Sequence, residues 1–181
     1  MRSAVFLDRD GVVCTPIIRD GKSYPPKNTS DLKIIHGVKE AVQNFRSVDL
    51  EIVIITNQPD IGSGITTFEE VNKINEKIMF ETSIKYVYVC PHIDSDNCEC
   101  RKPKIGLFIR SAYELNISLN TSYMVGDRWK DIKAGQEAGC ENFFIDYSYN
   151  EKKPNLPYTK VESVLEASKF ILKRIGAKNA R

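Results

Sequence analysis

Cys90-Pro91-His92 and Cys98-Glu99-Cys100 place three thiols and one imidazole within eleven positions. Cys90, His92, Cys98 and Cys100 make a full tetrahedral set for Zn²⁺ and leave no coordination position open for catalysis. Such an ion would fold a loop that has no hydrophobic core of its own; unligated thiols beside a chance histidine are the alternative. A second set is acidic. Asp8 and Asp10 lie in Phe6-Leu7-Asp8-Arg9-Asp10-Gly11, and Asp127 closes Tyr123-Met124-Val125-Gly126-Asp127. A carboxylate such as Asp8 can attack phosphorus to give an aspartyl-phosphate. Asp10, two residues on, could protonate the leaving oxygen and later activate water. Acids drawn together repel one another unless a cation sits among them, and hard oxygen ligands suit Mg²⁺. Thr56-Asn57-Gln58 offers a hydroxyl and amides to phosphate oxygens, and Arg101-Lys102 offers the positive charge a phosphoryl group needs.

Bland readings compete with these. Asp is common as a helix cap. Asp131, four residues after Asp127, serves equally as an acid supporting the site or as a solvated helix residue. His36 beside Gly37 is structural in character, and Cys14 and Cys140 read as ordinary buried thiols.

The elements needed to gather these groups are visible as short apolar runs alternating with helix-period segments. That alternation marks an α/β fold with a largely parallel sheet. Residues 4–7, 51–55, 86–89, 123–125 and 142–145 are the strands, rich in Val, Ile, Phe and Tyr as buried strands are. Val38, Ala41, Val42, Phe45 and Val48 follow the spacing of an amphipathic helix. Thr67-Phe68-Glu69-Glu70 is a capping box for a helix through Val71, Ile74 and Ile78. Further helices are expected over 106–115, 129–138 and 161–175. Residues 15–33, with three prolines, form a long flap, and residues 90–104 the zinc loop. Residues 150–158 read as a surface connection. In a parallel sheet ligands bind at the carboxyl ends of the strands, which is where Asp8 and Asp127 fall.

The chain has 181 residues, 28% charged and 41% hydrophobic, which fits one globular domain over 1–181 and excludes a disordered or fibrous protein. Lys and Arg total 26 against 24 Asp and Glu, a net charge of +2 without a basic stripe, so no nucleic-acid partner is expected. No apolar run is long enough for a bilayer span, and Ala4 to Leu7 is too short for a signal-peptide core. The expected address is the cytoplasm, where clustered thiols favour metal over disulfides. Nothing marks an oligomerisation element, so a monomer is expected.

Phe6-Leu7-Asp8-Arg9-Asp10-Gly11, Ile55-Thr56-Asn57-Gln58, Arg101-Lys102-Pro103 and Met124-Val125-Gly126-Asp127 together resemble the haloacid dehalogenase superfamily of phosphatases, in motif order across most of the chain. The resemblance implies a three-layer Rossmann-like parallel sheet with helices on both faces, no large cap domain and a zinc-stabilised loop. It implies Asp8 as nucleophile and Mg²⁺ ligand, and Asp10 as general acid/base that also lends its backbone carbonyl to the metal. Asp127 would complete the Mg²⁺ site. Thr56 and Lys102 would hold the transferring phosphoryl group, with Asn57 beside them, while Arg101 and Arg128 meet the substrate. The implied activity is removal of the C7 phosphate of a heptose 1,7-bisphosphate, with histidinol phosphate or another small phosphorylated metabolite as the alternative. Arg19, Lys22, Tyr24 and Lys27 on the flap are candidate contacts to a second phosphate. Two positions depart from the usual motifs, Val12 where relatives carry Thr and Pro59-Asp60 where Ser-Gly is frequent; both bear on the substrate.

Overall fold

The computed structural model describes residues 1–179. Its centre is a six-stranded sheet formed by β1 (Ala4–Leu7), β4 (Glu51–Asn57), β5 (Tyr86–Cys90), β6 (Tyr123–Gly126), β7 (Glu141–Ile145) and β8 (Thr159–Val161). The strand order is β5-β4-β1-β6-β7-β8, and every neighbouring pair is parallel. Strand pleating sends alternate side chains to opposite faces, and both faces of this sheet are covered. Val5, Leu7, Ile52, Ile54, Tyr123 and Val125 point into one apolar layer, which is closed by α1 (Val38–Arg46), α3 (Phe68–Thr82) and α6 (Val164–Asn179). Ala4, Phe6, Val53, Ile55 and Met124 point into the other, closed by α4 (Gly106–Leu115) and α5 (Trp129–Glu137). This is the three-layer architecture expected from the alternation of strands and helices.

Four differences from the sequence reading are informative. The flap is not structureless: β2 (Ile17–Arg19) and β3 (Lys22–Tyr24) form an antiparallel hairpin. Its two-residue turn, Asp20-Gly21, has φ of 51° and 71°, the left-handed pair that an Asp-Gly hairpin turn requires. Cys90 ends a strand rather than beginning a loop. Val161 belongs to β8, so the last helix starts at Val164, where the Ser163 hydroxyl accepts from the Glu166 N–H at 3.1 Å. At the start of α3 the Thr67 hydroxyl accepts from Glu70 N–H at 3.2 Å, but the Glu70 carboxylate turns to Lys73, so the cap is one-sided.

A short helix, α2 (Pro59–Gly62), follows β4 directly. β4 lies on one side of β1 and β6 on the other, so the order reverses at β1 and opens a crevice at the carboxyl end of the sheet. No helix among the described residues is long and apolar enough to cross a membrane.

Phe108 on α4 packs its ring 4.8 Å from that of Phe6, and both are fully buried. Phe108→Ala should lower unfolding stability by about 3–5 kcal/mol, measured by urea denaturation; a loss below about 1 kcal/mol would contradict this packing.

Candidate active site and metal centres

Asp8 follows the last residue of β1, and Asp127 follows β6, the strand beside it. Their carboxylates and that of Asp131, on the first turn of α5, bring oxygen atoms within 4.8 Å of one another. All three residues are buried. Gly126 makes this approach possible, since a Cβ there would collide with the Asp131 side chain. Gly11 does the same for Asp127: its φ is +103°, and a Cβ would run into the Asp127 carboxyl.

One cation is built into the cluster. The Lys102 ammonium lies 2.5 Å from Asp8 Oδ1 and 2.6 Å from Asp131 Oδ1, and donates to the Ile55 carbonyl at 2.9 Å. It is itself buried, and the two acids hold its pKa above the ordinary lysine value against the cost of burial. Asp131 also accepts from the Arg128 N–H at 2.9 Å. Both of its oxygens are therefore engaged, and of its two sequence readings the solvated one is excluded.

Asp127 is different. Among the described residues no donor makes a well-aligned hydrogen bond to either of its buried oxygens, although the Tyr149 hydroxyl lies close enough to favour its charged form. Burial, then the charges of Asp8 and Asp131, raise its pKa well above the carboxylate range. Burial likewise pushes Asp8 up to about 7, against the pull of Lys102 and with added repulsion from Asp131 and Asp10. Buried carboxylate oxygens bonded to no cation, beside a second carboxylate, are a donor set that fits a hard divalent cation such as Mg²⁺.

The remaining candidates surround a cleft of about 180 Å³ that reaches Asp8 and Asp10. Gln58, also buried, donates to Asp10 Oδ2 and to the Thr56 hydroxyl, each at 2.8 Å. Thr56 lines the cleft at the end of β4. Asn57, expected beside the phosphoryl group, spends its amide on the Lys102 backbone: its Oδ1 accepts the Lys102 N–H and its Nδ2 donates to the Lys102 carbonyl, both at 3.0 Å. In this structure it positions Lys102. Arg101 donates to Asp94 at 2.6 Å, and its Nη1 is buried without a partner. Arg128 is clamped by Glu151 through Nε at 3.1 Å and Nη2 at 2.6 Å.

Of the flap candidates, Tyr24 lines this cleft, whereas Arg19 and Lys27 line a neighbouring hollow of about 380 Å³ with Tyr24 between the two. The side chain of Lys22 lies outside the described part of the structure. Val12 is buried in the apolar core and does not line the cleft, while Pro59 and Asp60 do. His36 is exposed and lines no part of it. Residues 150–158 do more than connect: Glu151 holds Arg128, and the Asn150 N–H donates to the Gly21 carbonyl at the hairpin tip at 3.1 Å. Gln58, expected to offer its amide to phosphate, spends it on Asp10 and Thr56 instead, while Asp94 and Glu151 were missed because each serves the site only by holding an arginine.

The four metal-type residues of segment 90–104 converge. Sulfur–sulfur separations are 3.7 Å for Cys90–Cys98, 3.6 Å for Cys98–Cys100 and 3.1 Å for Cys90–Cys100. His92 Nδ1 is 3.6 Å from Cys90 and 3.2 Å from Cys100. Zn–S bonds of about 2.3 Å at tetrahedral angles give edges of roughly 3.7 Å, so the set fits one zinc ion. It stands immediately before Arg101 and Lys102.

Comparisons with known proteins agree with this geometry. A family model described as HAD-hydrolase-like matches residues 99–157. The chain is 34% identical over 145 residues to a D-glycero-beta-D-manno-heptose-1,7-bisphosphate 7-phosphatase of Helicobacter pylori, covering 77% of this chain and 80% of that protein. It is 32% identical to the D-glycero-alpha-D-manno-heptose-1,7-bisphosphate 7-phosphatase of Campylobacter jejuni, covering 83% and 84%. Its fold matches the crystal structure of a D,D-heptose 1,7-bisphosphate phosphatase from B. bronchiseptica, solved with magnesium and phosphate, at a TM-score of 0.83 and 23% identity over 95% of this chain and 99% of that one.

Two outcomes follow for the metals. Mg²⁺ should raise the melting temperature of the purified protein, and Asp127→Asn should remove that rise; a full Mg²⁺ response in the variant would exclude Asp127 as a ligand. Elemental analysis should find one zinc per chain, lost in Cys98→Ser together with both melting temperature and turnover, because the Arg101-Lys102 segment hangs from the loop.

Proposed function

Because this chain belongs to the haloacid dehalogenase superfamily and is a phosphoric monoester hydrolase, we propose that it removes the C7 phosphate of D-glycero-D-manno-heptose 1,7-bisphosphate, with Mg²⁺, through an aspartyl-phosphate on Asp8. The observation that carries this reading is the pairing at the floor of the cleft: one Asp8 oxygen is held by Lys102, while, among the described residues, the Asp127 oxygens next to it are bonded to no cation. That arrangement aims a carboxylate at a phosphoryl group in a site built for a cation.

Asp8 attacks phosphorus as the ester P–O bond breaks, and the carboxylic acid of Asp10 gives its proton to the departing sugar oxygen. Water then attacks the phosphorus of the aspartyl-phosphate, Asp10 takes its proton, and the bond to Asp8 breaks, releasing phosphate. The Thr56 hydroxyl holds a phosphoryl oxygen, and Lys102 lends its charge to the phosphoryl group by exchanging for a phosphoryl oxygen one of the three ammonium bonds it makes to Asp8, Asp131 and the Ile55 carbonyl. Asp8, Asp127 and the backbone carbonyl of Asp10 would hold Mg²⁺, which when bound supplies charge neutralisation to the phosphoryl group. Asp131 keeps Lys102 in place.

The outer wall supports a second phosphate over the ammonium and imidazole of histidinol phosphate. Arg101, Arg128 and Lys130 line it, with Asp60 as the acid on the flap side. Glu151 and Asp94 fix the two guanidinium groups, and the unpartnered Arg101 Nη1 remains for an anion. We take residues 1–181 as one catalytic unit, a cytoplasmic monomer. A thiolate metal set suited to a reducing compartment supports the address.

Phosphate release should be fastest with one anomer of D-glycero-D-manno-heptose 1,7-bisphosphate, and Asp8→Asn should abolish it, by a factor of about 10⁴ or more. Histidinol phosphate turning over far better than both anomers would overturn the substrate, and undiminished release by Asp8→Asn would overturn the site.

A further inference from the structure

Arg9 has the bulkiest of the fully buried side chains, and nothing in the reaction above uses it. Its Nε lies 3.2 Å from both carboxylate oxygens of Asp10, and its Nη2 donates to Asp10 Oδ2 at 3.0 Å. Nη1 donates to Asn75 Oδ1 at 2.9 Å; Asn75 is a buried residue of α3. Gln58 donates to the same Oδ2 of Asp10 at 2.8 Å, and the Cys14 thiol to Oδ1 at 3.3 Å. The Asp10 carboxyl is thus gripped from the turn after β1, from the end of β4 and, through Arg9, from α3.

A buried ion pair is weak as a stabilising device, because apolar side chains of the same volume do as well or better. The fork of a guanidinium does supply what an apolar group cannot, a fixed direction for a carboxyl. Asp10 lines the cleft and Arg9 does not, so Arg9 touches no reacting group and its hydrogen bonds reach the reaction through Asp10.

We propose that Arg9, braced by Asn75, is a positioning residue that aims Asp10 at the leaving oxygen of the ester. This rests on the reading of Asp10 as the general acid. As the bond from Asp8 to phosphorus forms and the ester P–O bond breaks, the Asp10 proton passes to the ester oxygen, leaving an alcohol and a carboxylate that Arg9 holds. A sugar alkoxide is strongly basic and needs that proton. A p-nitrophenolate is a stable anion and hardly needs it.

The test is the ratio of kcat/KM for the better of heptose 1,7-bisphosphate and histidinol phosphate, both alkyl esters, to kcat/KM for p-nitrophenyl phosphate. kcat/KM covers only the steps up to alcohol release, so later hydrolysis does not enter. General acid help is worth about 10²- to 10⁴-fold. The ratio should fall most in Asp10→Asn, by about tenfold or more in Arg9→Lys, and by less in the same direction in Asn75→Leu. Misfolding alone would lower both esters alike. Should Arg9→Lys fail to fold by circular dichroism, Asn75→Leu decides. An unchanged ratio in the folded Arg9 and Asn75 variants, with a fallen ratio in Asp10→Asn, overturns the role of Arg9. An unchanged ratio in Asp10→Asn overturns the acid reading itself and this proposal with it.

Discussion

A lysine ammonium out of solvent is the constraint around which this site is organised. Lys102 sits in no helix or strand, yet its charge must meet acids, because removing one partner of a buried ion pair costs about 3–5 kcal/mol. Its position is set from four sides. Asn57 bonds its backbone twice, the Ile55 carbonyl takes one ammonium hydrogen, and Asp8 and Asp131 take its charge. The zinc-type cluster that ends at Cys100 anchors the segment that delivers it. Asp131 reaches Lys102 only because Gly126 leaves room. The parallel register of β1 with β4 and β6 brings all these strand ends to one edge.

With its acids ionised, that edge carries more negative charge than Lys102 balances. Asp8, Asp127 and Asp131 share one ammonium, and among the described residues Asp127 is bonded to no cation of its own. Folding the cluster in this form is unfavourable electrostatically, a cost that functional sites commonly carry for the rest of the structure. A bound divalent cation relieves it. Affinity for metal and the imperfect electrostatics of the protein alone are thus two aspects of one arrangement.

The parallel sheet was legible because buried strands are written as apolar runs, and the acids at their ends because the runs stop on Asp8 and Asp127. The zinc-type set was legible because its residues are neighbours in the chain. What escaped was carried by partners far apart in sequence. Nothing near Asn57 announces that its amide serves Lys102, forty-five residues away. Arg9 looks like a polar residue between two acids, and only the buried Asn75 on α3 shows where its guanidinium goes. The hairpin in the flap was written plainly as Asp20-Gly21, but its three- residue strands were too short for alternation to show. β8 was missed for the same reason, since three residues carry no period.

The flap leaves and rejoins the protein at nearly one point, where the Thr15 N–H donates to the Lys33 carbonyl at 2.9 Å. Everything between those residues is an excursion whose ends the fold already holds together. Lengthening such a loop is inexpensive, about 0.6 kcal/mol for each doubling. The hairpin is therefore an exchangeable module. A lineage could replace it with a longer insert and acquire a new substrate while the sheet, the acids and Lys102 stay as they are. The hydrogen bond from Asn150 to Gly21 limits that freedom, because whatever takes the hairpin's place must still find a seat on the loop that holds Arg128.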